Sequence, residues 1–346
     1  MIRQRPVELL APARNVECAM AAVDHGADAV YIGAPRFGAR ASAGNSVEDI
    51  ARLVEYAHTF RVKVYVTVNT ILKDEELPET ERLVWALYRV GVDALIVQDM
   101  ALLELDLPPI PLHASTQMDN RTPEKVKFLH GLGFSQVVLA RELSLAEIQA
   151  VHEACDVPLE VFVHGALCVS YSGQCYVSQH CFGRSANRGE CAQFCRLKFD
   201  MVDSDGRMIE QGRHLLSLKD MNRGADLERL LDAGVTSLKI EGRLKDVAYV
   251  KNVTAWYRSR LDEIFKRRPE YRRASSGQVS LAFTPCLEKS FNRGFTRYFL
   301  DGRTPDIFSF HTPKSLGEEV GTVKDVRGKY IVVSGVKPFA NGDGLC

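Results

Sequence analysis

The sequence predicts an α/β fold: a (β/α)8 TIM-like barrel with a cysteine-rich insertion after strand seven, followed by the start of a small all-β domain. Three observations carry that prediction. One phrase recurs four times, in which a helical pattern runs to a glycine and a short β-branched run follows within two residues. It reads Gly26-Ala27-Asp28-Ala29-Val30-Tyr31-Ile32, then Gly91-Val92-Asp93-Ala94-Leu95-Ile96-Val97, then Gly133-Phe134-Ser135-Gln136-Val137-Val138, then Gly234-Val235-Thr236-Ser237-Leu238-Lys239-Ile240. Glycine takes the left-handed backbone that ends a helix, and an apolar run of this kind suits a strand buried on both faces. Such units make parallel strands joined by right-handed helical crossovers. Second, the strand-like runs number eight. Third, no Gly-x-Gly-x-x-Gly follows the first strand and no Walker phosphate loop occurs, which counts against the runner-up, an open doubly wound sheet.

In order, the first strand is expected over residues 7–11, behind a charged N-terminus that has no apolar signal core. Helix 15–25 leads to strand 28–32, helix 46–60 to strand 63–68, and helix 76–90 to strand 93–98. Strand 111–115, helix 122–132, strand 136–140, helix 144–154 and strand 159–164 follow, and then a long gap, residues 166–214. Helix 223–233, strand 236–240 and a long helix over 245–266 complete the barrel, assigned to residues 1–266. The run Leu215–Leu218 could raise the strand count to nine. A basic stretch opens a linker at 267–280. Residues 281–346 read as the beginning of a β-rich domain that stops on a turn signal, Asn341-Gly342-Asp343-Gly344, so the chain is expected to be truncated.

With 46% hydrophobic and 25% charged residues, the 346-residue chain has apolar material for a core and is not of disordered composition. Lys plus Arg (44) balance Asp plus Glu (44), so any nucleic-acid contact must be a local patch. The densest run of cations is Lys266, Arg267, Arg268, Arg272 and Arg273; it reads equally as an RNA contact and as a helix end offsetting its dipole. No long apolar stretch is present, so no membrane contact and a cytoplasmic location are expected.

Barrel enzymes carry their chemistry at the carboxyl ends of the strands. Those ends supply His164, Glu142 and Glu241 as candidate catalytic groups. They also supply Asn69, Gln117, Arg141 and Arg243 for substrate binding, with His113 inside strand five and Lys239 and Arg40 close by. The two rim arginines could each grip a carboxylate or phosphate as a fork, or merely pair with Glu142 or Glu241.

Five of the nine cysteines fall between Cys168 and Cys195. In a reducing compartment, thiols bunched in this way point to metal ligation rather than disulfides. Cys168, Cys175, Cys191 and Cys195 form Cys-x6-Cys-x15-Cys-x3-Cys, with Cys181 as an extra. Four thiolates from one loop can hold an iron–sulfur cluster or a tetrahedral zinc, and the x6 gap is wide for a zinc ribbon. For hydrolysis there is no Gly-x-Ser-x-Gly and no His-Glu-x-x-His.

The segment Glu160-Val-Phe-Val-His164-Gly165-Ala166-Leu-Cys168-Val-Ser-Tyr-Ser172-Gly173-Gln-Cys175 resembles the signature of the collagenase-like peptidase family U32. So do Gly183-Arg184-Ser-Ala-Asn187-Arg188-Gly189-Glu-Cys191-Ala-Gln193-Phe-Cys195-Arg196, the opening Glu8-Leu-Leu-Ala-Pro12-Ala13, and Ser237-Leu-Lys239-Ile-Glu241-Gly242-Arg243. The resemblance implies a [4Fe-4S] cluster on the four matched cysteines and an oxygen-independent hydroxylase acting on an RNA base. The expected target is a 23S ribosomal RNA cytidine, giving 5-hydroxycytidine, with ribosomal RNA or its precursor as partner. It also implies prephenate, a dicarboxylate, as the hydroxyl source. The older peptidase activity attached to the same signature is the alternative.

Overall fold

A computed structural model describes residues 4–38, 44–242, 244–335 and 337. Seven strands follow one another around a barrel: β1 (Arg5–Ala13), β2 (Ala29–Gly33), β3 (Lys63–Val68), β4 (Ala94–Val97), β5 (Leu112–Ala114), β6 (Gln136–Val138) and β7 (Leu159–Gly165). Each pairs in parallel with the next. The crossovers are helices α1 (Val16–Asp24), α2 (Val47–Thr59), α3 (Leu77–Arg89), α4 (Pro123–Gly131) and α5 (Leu145–Ala154). Helix starts are chemically marked. Ser46 and Asp49 exchange bonds at the head of α2, as Ser144 and Glu147 do at α5, which satisfies otherwise orphaned N–H groups. Between β4 and β5 the crossover shrinks to a 3-10 turn, Met100–Glu104.

The insertion after β7 holds a short helix α6 (Val177–Phe182) and an exposed hairpin, β8 (Phe199–Val202) with β9 (Met208–Arg213). Its return strand, β10 (Asp220–Asn222), lies antiparallel on the end of β7, Met221 opposite Gly165. The Leu215–Leu218 run adds no ninth barrel strand: Leu218 forms one isolated bridge to Phe308. After α7 (Leu227–Asp232), β11 (Val235–Ile240) slots between β7 and β1, with Leu238 opposite both Val161 and Leu9. That closes an eight-stranded parallel barrel. Helix α8 (Val247–Arg267) covers the seam. The apolar core lies between strands and helices, with Leu9, Val30, Leu53, Leu95 and Val253 fully buried.

Inside the barrel a polar layer replaces hydrocarbon. Glu160 accepts from Lys239 (2.7 Å) and Gln136 (2.6 Å), while Glu8 accepts from Ser237 (2.7 Å) and Tyr65 (2.5 Å). Burial, then the neighbouring Glu160, pushes the Glu8 carboxyl up to about 7.

Residues 267–280, expected as a linker, are docked: β12 (Tyr271–Arg273) pairs in parallel with the start of β1. The strap is held by Asp28, whose carboxylate accepts from Leu9 N (2.9 Å), Arg258 (3.1 Å), Arg273 (3.0 Å) and both the N–H and hydroxyl of Ser275 (3.2 and 2.7 Å). Further on, β13 (Phe295–Thr296) extends β10, and β14 (Thr322–Arg327) with β15 (Tyr330–Ser334) forms a solvent-exposed hairpin. Among the described residues no helix is long and apolar enough to cross a membrane.

Candidate active site

A cavity of about 490 Å³ opens at the carboxyl ends of the barrel strands, and Asn69, Gln117, Arg141, Lys239 and Glu241 all line it. Arg141 leaves the end of β6 and lays its guanidinium over the Phe162 ring, 3.7 Å from its centroid, while donating to Glu241 at 2.8 Å. Its Nε is buried without a hydrogen-bond acceptor, a donor position that an incoming acceptor could satisfy. Lys239 projects from β11 over the Tyr31 ring at 4.5 Å and is held from below by Glu160. Asn69 donates its Nδ2 to the side-chain Oε1 of Gln117 at 2.6 Å, setting two amides side by side on the wall.

The cysteine loop forms the roof. It leaves β7 at Gly165, where φ is +104° and a Cβ would stand 2.7 Å from the Glu241 carbonyl oxygen, so only glycine lets the chain turn there. Glu142 anchors the next stretch by accepting from Ser172 N and Oγ at 2.9 and 3.0 Å. Gly173 follows with φ +77°, pressed so close to the Gln117 carbonyl that a Cβ would lie 2.1 Å away. Arg188 forks onto Glu76 (2.7 and 2.9 Å) and reaches Ile71 O. Arg196 donates to Ser217 Oγ, Leu218 O and Leu167 O. Three different barrel loops therefore grip this one insertion.

Held in this way, Cys168, Cys175, Cys191 and Cys195 all line the same cavity as Arg141 and Lys239. All the described cysteines are free thiols. The Cys168 thiol hydrogen-bonds the Cys175 sulfur, which draws Cys175 down to about 6 and pushes Cys168 up. Burial raises Cys195. Cys181 is exposed on α6 and does not line the cavity. Among the described residues, no three His, Cys, Asp or Glu side chains converge closely enough to hold a single metal ion.

The remaining expected residues are elsewhere. Glu142 is buried under the loop it anchors. A register irregularity where β7 meets β11, between Lys239 and Ile240, accompanies a His164 ring enclosed by Tyr249, Tyr257 and Phe295, off the cavity lining. Burial lowers it to about 3, and its Nδ1 lies 3.3 Å from the Tyr257 hydroxyl, so His164 and Cys168 do not form a base–nucleophile pair. His113 sits below the pocket, edge-on to Tyr65 at 4.7 Å, and burial lowers it to about 3. Arg40 and Arg243 lie outside the described residues. The basic run lies at the opposite end of the barrel, where Arg267, Arg268 and Arg273 pair with Glu228, Asp232 and Asp28. It closes the bottom and does not face the pocket. Two further cavity-lining cations, Lys245 and Arg293, were not anticipated: they lie beyond the strand ends, in loops whose folding back no periodicity announces.

Residues 14–308 match peptidase family U32. The chain is 56% identical over 98% of its length to the 23S rRNA 5-hydroxycytidine C2501 synthase of Escherichia coli, of which it covers 52%. It thus spans about half the length of that relative. It is 36% identical to tRNA hydroxylation protein P1 of Bacillus subtilis (93% of this chain, 78% of the relative). It is 32% identical to a collagenase of Porphyromonas gingivalis (86% and 74%). With the signature cysteines gathered over a barrel mouth and the match running from the first helix into the segments that pack on β10, the chain belongs to peptidase family U32.

Proposed function

We propose that this chain is the catalytic barrel of an RNA base hydroxylase. The observation that carries the reading is that four free thiols from one loop and two rim cations share a single cavity. The target follows the Escherichia coli relative, a 23S ribosomal RNA cytidine converted to 5-hydroxycytidine; a dicarboxylate such as prephenate would donate the hydroxyl group.

The donor set fits a [4Fe-4S] cluster better than zinc. A zinc ribbon takes its thiolates in tight Cys-x2-4-Cys pairs, whereas a cubane carries its four cysteines at separate corners, which suits the wide Cys-x6-Cys-x15-Cys-x3-Cys spacing on one cavity. Cys168, Cys175, Cys191 and Cys195 would be its ligands, and the cluster would supply electron transfer. The chain's own residues do the rest. Arg141 and Lys239 offer cations to a dicarboxylate, each steadied by an aromatic face and a carboxylate. The Asn69 and Gln117 amides offer donors and acceptors to the edge of a base. The roofing loop, pinned by Glu142 and Arg188, limits water at the mouth.

Two measurements test the reading. Anaerobic purification of the full chain with iron and sulfide analysis should find about four of each per chain. Nucleoside mass spectrometry of 23S ribosomal RNA should show 5-hydroxycytidine restored when a strain lacking the modification expresses the protein. An iron-free protein that restores nothing would sink the proposal.

A further inference from the structure

We propose that Lys245, Arg293 and Arg196 form a phosphate-binding subsite at the lip of the pocket, taking the phosphodiester next to the base that enters. The inference rests on the RNA reading above and names the contact that reading leaves open.

The three cations line the same cavity as the thiols, and among the described residues one carboxylate, Asp220, forms an ion pair with them. Lys245 lies over the Phe291 ring (3.1 Å to its centroid) and 5.4 Å from the Tyr249 centroid, and no described carboxylate forms an ion pair with it. Arg293 approaches the same Phe291 ring at 4.6 Å, so two like charges share one aromatic platform. Arg196 gives all its hydrogen bonds to neutral oxygens, those of Ser217, Leu218 and Leu167. The one acid in direct contact with the group is Asp220, which is buried beneath Arg293 at 2.9 Å. The other two nearby acids are engaged elsewhere, Glu241 by Arg141 and Asp246 by Tyr249 N at the start of α8, so three cations partly withdrawn from water have one carboxylate of their own, which is costly unless an anion joins them. Burial lowers Lys245 to about 8, and the acids nearest it, Asp220, Asp246 and Glu241, offset that burial only in part.

Position argues for phosphate over a second carboxylate. Lys245 belongs to the loop after the eighth barrel strand, directly ahead of the 21-residue helix α8, and faces the loop after the seventh. In barrels of this kind the loops after strands seven and eight commonly hold phosphate; here the cations would take it, since Asp246 already caps the N-terminus of α8. Lys239 lies on β11 and Arg141 just past the end of β6, and each already has a carboxylate, Glu160 or Glu241. A nucleotide could thus rest its base among the amides and its phosphate on the lip.

The test is calorimetric titration of the full chain at low salt with cytidine 5′-monophosphate, cytidine and malonate. Wild type should bind the monophosphate roughly tenfold or more tighter than the nucleoside, the size expected of charge-assisted hydrogen bonds. Lys245→Met keeps the stem on its aromatic platform and should erase that preference, whereas Lys245→Arg should retain it. Malonate binding should be unaffected. The subsite is refuted if wild type binds the monophosphate no tighter than cytidine, or if the preference survives Lys245→Met. It is equally refuted if Lys245→Met weakens malonate as much as the monophosphate, since the cations then serve the small acid. If the preference behaves as proposed but no 5-hydroxycytidine forms, the subsite stands and the hydroxylase reading fails.

Discussion

Arg188→Met should loosen the cysteine roof without touching the barrel. The substitution removes two bonds to Glu76, at 2.7 and 2.9 Å, and one to Ile71 O at 2.6 Å. The size follows from the carboxylate. Arg188 holds Glu76 at about 2 against an ordinary 4.5, which at about 1.4 kcal/mol per pKa unit bounds the coupling near 3 kcal/mol. Arg188 is 30% exposed and Glu76 13%, so water screens part of it, and about 2 kcal/mol is the expected loss. That multiplies the open population of the loop roughly thirtyfold. Hydrogen exchange reads it directly: the Ile71 amide, bonded to Asn187 O at 3.2 Å, reports the loop, and amides of β1 to β7 report the barrel. Because the Glu76 pKa is depressed, the staple is intact above pH 4.5 and is lost as pH falls toward 2. Wild-type loop protection, corrected for intrinsic rates, should fall across that window, and the variant's should not. Equal loop protection in both proteins would show that the roof is held by Arg196 or the thiols and that the Glu76 fork is ornamental.

Single alanine replacements of Cys168, Cys175, Cys191 or Cys195 should each lower bound iron, while Cys181→Ala should retain it; iron analysis after anaerobic purification decides. Lys239→Met leaves the Glu160 carboxylate buried without its cation and should cost about 3–5 kcal/mol in denaturant unfolding, and adding Glu160→Gln should recover part of the loss. Glu8 has a folded pKa raised from 4.5 to about 7, so its contribution to stability is full below pH 4.5 and is lost as pH rises through 7. Glu8→Gln should therefore flatten the stability profile between those values; an unchanged profile would locate the titration elsewhere.

The barrel was legible because its strands announce themselves. All eight β-branched runs became strands in the expected places, since burial on both faces demands a continuous apolar run, and the glycines before them fix where helices stop. What escaped was decided by tertiary contacts. Leu215–Leu218 reads as a strand but meets only Phe308. Residues 267–280 look like a linker because the acid that receives Arg273 and Ser275 stands 245 and 247 positions earlier. Of the residues that line the cavity, Cys168, Cys175, Cys191 and Cys195 were singled out by their spacing, and Arg141, Lys239, Asn69, Gln117 and Glu241 by their places at or near strand ends. His164 occupied an equally promising place, yet its ring packs among the aromatics of α8 and Phe295, and period-two reasoning cannot foresee a shifted register. Lys245 and Arg293 gave no signal at all, because loops are brought to a pocket by packing rather than by pattern.

The Asp28 carboxylate has a consequence for the order in which the chain can be made. Its partners on α8 and the strap are Arg258, Arg273 and Ser275, 230 to 247 residues downstream. While a ribosome is still extending the chain, the residue just ahead of β2 is an acid destined for full burial whose counter-charges do not yet exist. Burying Asp28 before residue 275 has emerged would leave the carboxylate short of partners, which is costly, so final closure of the first strands is expected to follow the strap. A nascent chain stalled at the end of α8, although it contains every barrel strand, lacks two of the three side chains that quench this acid. Such a product should remain open at the seam between β1 and β11, and the short strap, which contains no predicted active-site residue, becomes the last piece needed to close the barrel.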